Sequence, residues 1–256
     1  MPDNISRLMD ARIDSPPGHT QALSVIQNDP GLCADLLHLA NDSCCEADGT
    51  VETIDDAVKH VGIQPLLQVI GVSYAGKTIR QEFAALKHLD QYFQHSREIS
   101  RCCSIMAEVL NLPGPQREMY AVIGLIHDIG RLVIMIAGNK TSLPLMGTSW
   151  EEMLSIVRDE KQVLGLDHCE VGMQLCSKWN FSAVLNQGVL RHHTPLVDDD
   201  FNSVGAIIFI AHFVALSDFT GQMLVQILPA ELLDRLDLSR TGFQKAQDTY
   251  NSLYRE

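Results

Sequence analysis

The apolar residues of this chain recur three and four positions apart over most of its length, and that spacing points to packed helices. Leu32, Leu36 and Leu39 form one stripe, just after the turn signal Asn28-Asp29-Pro30. Ile54, Ala57, Val58 and Val61 form a second. It opens on Thr53 with Asp56 three residues on, a capping-box pattern, and Gly62 ends it. Met119, Val122, Ile123 and Ile126 make a third. Asp167, with Glu170 three residues later, caps a fourth that carries Val171, Leu175 and Trp179. Leu185 and Val189 lead to His192, and Pro195 stops that helix. Pro229 suits the first position of a helix, and Phe243, Ala246, Tyr250 and Leu253 mark a last one. Strand signals are weak. Residues 132–137 are apolar and rich in β-branched side chains, but the run is short and is expected to be helical. The expected fold class is therefore all-α.

Composition supports a folded interior, since 46% of the 256 residues are hydrophobic. Aromatic residues are only 6%, so aliphatic side chains must fill most of the core. The net charge of -13 disfavours direct binding of nucleic acid or of an anionic membrane surface, and no Lys/Arg run offsets it. Seven cysteines without a C-x-x-C pair read as buried thiols of a reducing compartment. The N-terminal residues MPDNISRLMDARID lack an apolar stretch of the signal-peptide kind, and residues 204–216 are too short to span a bilayer. These features lead to the expectation of a cytoplasmic protein. Residues 44–53 and 194–202 read as polar loops, and the Asp198-Asp199-Asp200 run lacks the ligand spacing of a calcium site.

Chemistry resides in the histidines: His95, the adjacent His127-Asp128, His168, the adjacent His192-His193, and His212. Imidazole with carboxylate suits Fe, Mn, Zn and similar divalent ions. A His-Asp pair at a helix end can offer two ligands to one ion, or lend its carboxylate to a second. Sequence distance alone does not say whether these side chains converge, and a lone histidine is more often a satisfied core or surface residue. His19, His38, His60 and His88 match no pattern and are expected at the surface.

Taken in order, several segments resemble the HDOD family, helical relatives of the HD metal-dependent phosphohydrolases. Asn28-Asp29-Pro30 with LCADLLHLAND is similar to the family's first motif, and VETIDDAVKHVGIQPLLQVI to the helix pair that follows. Gln94-His95-Ser96, GLIHDIGRLVI, VLGLDHCEVGMQLCSKWNF and RHHTPL resemble its later motifs, so the likeness covers residues 21–216. The resemblance implies an N-terminal helical subdomain packed on an HD-like helical subdomain. With a boundary read near 84–90 between two helical groups, the chain is expected to divide into an N-terminal tail (1–20), the N-terminal subdomain (21–85), the HD-like subdomain (86–228) and a C-terminal helical extension (229–256).

The resemblance also implies a ligand set. A first metal would use His95, His127, Asp128 and the position of His212. A second would use Asp128 again with His168, His192 and His193. Six of these seven positions keep the hydrolase residue type, and His212 replaces a carboxylate. Thr194-Pro195-Leu196 follows the histidine pair, with no glutamate and no Gly-Tyr-Pro. Arg131 stands where relatives carry a basic residue for phosphate, although a solvated helix-end residue is the simpler expectation. No catalytic residue is assigned. The implied function is a signalling output domain acting on a protein partner or ligand, with little or no catalysis. The alternative is a divalent-metal-dependent phosphohydrolase of a nucleotide or cyclic dinucleotide.

Overall fold

The protein is described from a computed structural model at residues 20, 23–24, 26–43, 50–61, 89–137, 149–179 and 181–255. Helix α1 (Pro30–Ser43) starts where Asp29 accepts the backbone N–H of Leu32 at 3.0 Å, an N-cap within the segment read from the sequence as a turn. Helix α2 (Ile54–Val61) starts on the Thr53–Asp56 capping box, in which Asp56 N donates to Thr53 Oγ1 and the hydroxyl donates back to the Asp56 carboxylate. Its expected end at Gly62, the expected boundary at 84–88, Cys44, Cys45, His19 and His88 lie outside the described residues.

Next come α3 (Leu89–Val109), α4 (Gly114–Ile126) and α5 (Ile129–Ala137), the last being the apolar run of ambiguous sequence. Then follow α6 (Trp150–Leu164), α7 (His168–Lys178) and α8 (Ala183–Arg191). Two-residue strands β1 (Leu196–Val197) and β2 (Asp200–Phe201) pair antiparallel inside the segment expected to be a plain loop. Asp198 turns that hairpin at φ 51°, a left-handed conformation that aspartate tolerates. Helices α9 (Ser203–Ala215), α10 (Gly221–Ile227), α11 (Ala230–Arg235) and α12 (Arg240–Tyr254) complete the chain. Pro229 precedes the first residue of α11 rather than occupying it, a shift of one position. Among the described residues no helix is long and apolar enough to cross a membrane.

Helix α9 is the axis of the structure: residues 205–214 are all buried, His212 among them. It packs against α3, α8, α4 and α12, while α3 also lies along α4 and α7 crosses α5 and α8. Helices α1 and α2 pack on each other, and α1 reaches α3 and α4. The core is continuous from Ile26 to Tyr250. Leu32 and Leu36 are fully buried, but Leu39 is only half-buried and Leu37 takes the inward position. In α7 the buried face is His168, Cys169, Gly172 and Cys176, so the expected stripe of Val171, Leu175 and Trp179 forms its half-buried flank. Leu253 is 62% exposed and lies off the buried face of α12. His38 is not a surface residue: it is half-buried and stacks on Trp179 at 5.4 Å. Leu36→Ala is expected to lower unfolding free energy by about 2–5 kcal/mol in urea titrations, the cost of a large core cavity. A loss below about 0.5 kcal/mol would place Leu36 at a surface-like position.

Candidate metal centre

Five segments deliver seven side chains to one buried locus. His95 comes from the middle of α3, and His127 and Asp128 come from the break between α4 and α5. His168 is the first residue of α7, fixed by the Asp167–Glu170 capping box. His192 and His193 follow the end of α8, where Pro195 stops the helix, and His212 projects from α9. His127, Asp128, His168, His192 and His212 are buried, and His95 and His193 are partly so.

The ring orientations are set by short local hydrogen bonds. The Nδ1–H of His127 donates to Gly124 O at 2.8 Å, that of His192 to Val189 O at 2.7 Å, and that of His212 to Ile208 O at 2.8 Å. His168 uses Nδ1 against the Glu160 carboxylate at 2.5 Å. In each ring this leaves Nε2 facing the locus. The Nε2 atoms of His168 and His192 lie 3.1 Å apart, and those of His127 and His212 lie 3.2 Å apart. Between the neutral His127 and His212, two lone pairs that close repel each other, and a shared cation resolves the repulsion. Burial opposes charging His168 and His192, but Cys169 and Asp128 outweigh it, raising His168 well above the usual histidine range and His192 to about 9, so a proton lies between these two nitrogens where a metal cation would replace it. Carbonyl or carboxylate partners on Nδ1 are the support that metal-binding imidazoles ordinarily receive.

The donors sort into two groups, each with its ligand atoms within 4.8 Å of one another: Asp128, His168, His192 and His193, and His95, His127 and His212. In the first, Asp128 Oδ1 is 3.1 Å from His168 Nε2 and 3.5 Å from His192 Nε2. Both ring nitrogens of His193 are buried with no hydrogen-bond partner from the protein. One carboxylate, two buried imidazoles and an unpartnered third fit a divalent ion of the Fe, Mn or Zn kind. The second group contains nitrogen donors only. Asp128 Oδ2 lies 3.5 Å from both His95 Nε2 and His127 Nε2, so it could reach an ion there, but Arg131 Nε already holds it at 2.9 Å.

Electrostatics cut across this division. Burial above all pushes His95 down to about 4 and holds His127, His193 and His212 well below the usual histidine range, so these rings are neutral. Burial opposes ionisation of Asp128, yet Arg131 and the surrounding imidazoles hold its carboxyl well below the ordinary carboxylate range.

Arg131 corrects one expectation. It is buried in the first turn of α5, not solvated at a helix end, and its guanidinium contacts Asp128 and Glu160, the latter at 3.2 Å. Glu160, on α6, was missed by sequence reasoning. It accepts from the backbone N–H of His168 at 2.9 Å as well as from the ring. Nothing in the local sequence marks it, since it sits eight positions before His168 in a charged stretch, Arg158-Asp159-Glu160-Lys161. Cys169 was also missed as part of the locus. Its Sγ lies 3.5 Å from His168 Nε2, and although burial raises thiol pKa values, His168 and His192 bring this one down to about 7.

A family model of the HDOD domain matches residues 1–195. The chain belongs to the HDOD family. Solved structures similar to this HDOD domain include the MmoQ response regulator of Methylococcus capsulatus str. Bath, at 18% identity and a TM-score of 0.67, covering 95% of each chain. A virulence factor of Campylobacter jejuni subsp. jejuni matches at 17% identity and a TM-score of 0.63, over 100% of this chain and 93% of the other. An HDOD domain protein of Geobacter sulfurreducens matches at 20% identity and a TM-score of 0.50, over 99% of this chain and 92% of the other. At these identities the likeness speaks for the fold. The site is read from this chain's own residues.

Proposed function

We propose that this HDOD domain is a signalling output module. In this reading it holds one divalent ion at Asp128, His168, His192 and His193, acts by binding a protein partner, and turns over little or no substrate. The observation that carries the reading is the position of Arg131. Its Nε forms an ion pair at 2.9 Å with Asp128 Oδ2, the oxygen that would have to bridge to a second ion. Two-metal hydrolysis needs both ions to clamp the attacking and leaving oxygens. Here the second group offers only neutral nitrogens and the shared carboxylate is engaged by a cation. The bound ion would supply Lewis-acid chemistry, while His193, at the partly exposed edge, faces what enters. The similarity to a response regulator from Methylococcus supports a regulatory role.

A specific feature favours the second reading, a metal-dependent phosphohydrolase. A groove of about 450 Å³ opens on His193 and Thr194 and is walled by Met153, Val157, Arg158 and Lys161 of α6. Its cations are partly compensated, since Lys161 bridges Asp167 and Glu170 and Arg158 contacts Asp159.

Elemental analysis of protein purified without chelator should find about one ion per chain. A screen against phosphodiesters and nucleotides with Mn or Fe should find little turnover. His212→Asp should raise metal content towards about two ions, because it adds a hard anionic ligand to the nitrogen-only group. Two tightly bound ions with efficient hydrolysis by the unaltered protein would establish the phosphohydrolase instead.

A further inference from the structure

A second cavity lies away from the metal centre, where α2 and the turn before α1 meet α3, α4 and the end of α12. Its volume is about 370 Å³, within the range of small-molecule sites. Ile105, Val122 and Leu125 line it with apolar surface. One wall carries Arg97 and Arg101, four residues apart on α3 and therefore on one helical face. Both are half-buried, and neither has a carboxylate partner among the described residues. Arg101 is held in place by its guanidinium lying 4.4 Å above the Tyr254 ring, and Arg97 reaches Asn28 O at 3.5 Å. Asp55 and Glu118 stand exposed in the same lining.

We infer that this cleft binds a small organic monophosphate of the nucleoside monophosphate class. Paired guanidinium groups recognise a phosphate with several charge-assisted hydrogen bonds. The apolar wall takes the body of the ligand. Asp55 and Glu118 accept hydrogen bonds from its hydroxyl or amino groups and repel a bare polyanion, which selects against inorganic phosphate and pyrophosphate. Helix α3 carries His95 two residues before Arg97, so this site and the nitrogen-only group share one rigid element. Occupancy of the cleft is thereby placed to bias the metal centre.

Isothermal titration of the purified protein with AMP, GMP and inorganic phosphate tests the assignment. Saturable binding of AMP or GMP is expected, with inorganic phosphate much weaker. Arg97→Gln and Arg101→Gln should each weaken binding about tenfold or more, the effect of losing a charged hydrogen bond, with unchanged circular dichroism. Ser104→Phe, which fills the cleft without touching either charge, should also abolish binding. Failure of both nucleotides to saturate by about 5 mM would overturn the inference. So would parent-like affinity in both arginine variants, for then the phosphate sits elsewhere, as at the metal centre. Neither outcome bears on the number of ions bound there.

Discussion

Glu160→Gln should weaken metal binding at the centre by about 10–100-fold, the usual cost of losing an outer partner of a ligating histidine. The carboxylate accepts from both the ring and the backbone N–H of His168 and also faces Arg131. Glutamine has one accepting oxygen for three donors, and its own NH₂ must then face a guanidinium or a ring N–H. His168 loses the anion that fixes its tautomer, and Nε2 loses basicity. Stability should fall too, by about 3 kcal/mol, because half of a buried charge pair is gone while Arg131 keeps only Asp128. Competition titration with a chelator reads the first effect and urea denaturation the second. Parent-like affinity would mean that His168 either orients itself or is not a ligand.

Gly130→Ala should be at least as damaging. Helices α5 and α7 cross with their backbones in contact: a Cβ at Gly130 would overlap the His168 carbonyl oxygen and lie 2.6 Å from Gly172 N. Those atoms are main chain and cannot swing aside, so the helices must separate. The expected loss is about 3 kcal/mol or more, at the upper end for overpacking. Separation also moves His168 away from Asp128, so metal binding should fail before the fold does. A variant with parental stability and metal content would show that the crossing is looser than described.

How much of this was legible in the sequence depended on whether the signal was local. Capping boxes at Thr53 and Asp167 could be read directly because every partner lies within three residues. The convergence of the seven donors was not readable from spacing, since His95 and His212 are 117 positions apart. Only the order of family motifs suggested it. Arg131 could have been read better: it follows Asp128 by three positions, a helical pairing distance, and that signal was available. Glu160 could not, because its partner lies across a helix turnover and its neighbours are all charged. The apolar stripes erred at Leu39 and in α7. There the buried face belongs to cysteine, glycine and histidine, which a hydrophobic pattern counts poorly.

The four donors of the carboxylate-containing group come from three separate stretches, two of them single residues at helix boundaries. A cut anywhere between 129 and 167 leaves Asp128 on one piece and all three histidines on the other. An ion seated there would bind only the completed domain. Its binding free energy would then add in full to the unfolding free energy, by an amount that grows with the logarithm of free metal. For such a domain the ambient metal supply and the lifetime of the native state become a single variable, and scarcity would be felt first as susceptibility to proteolysis.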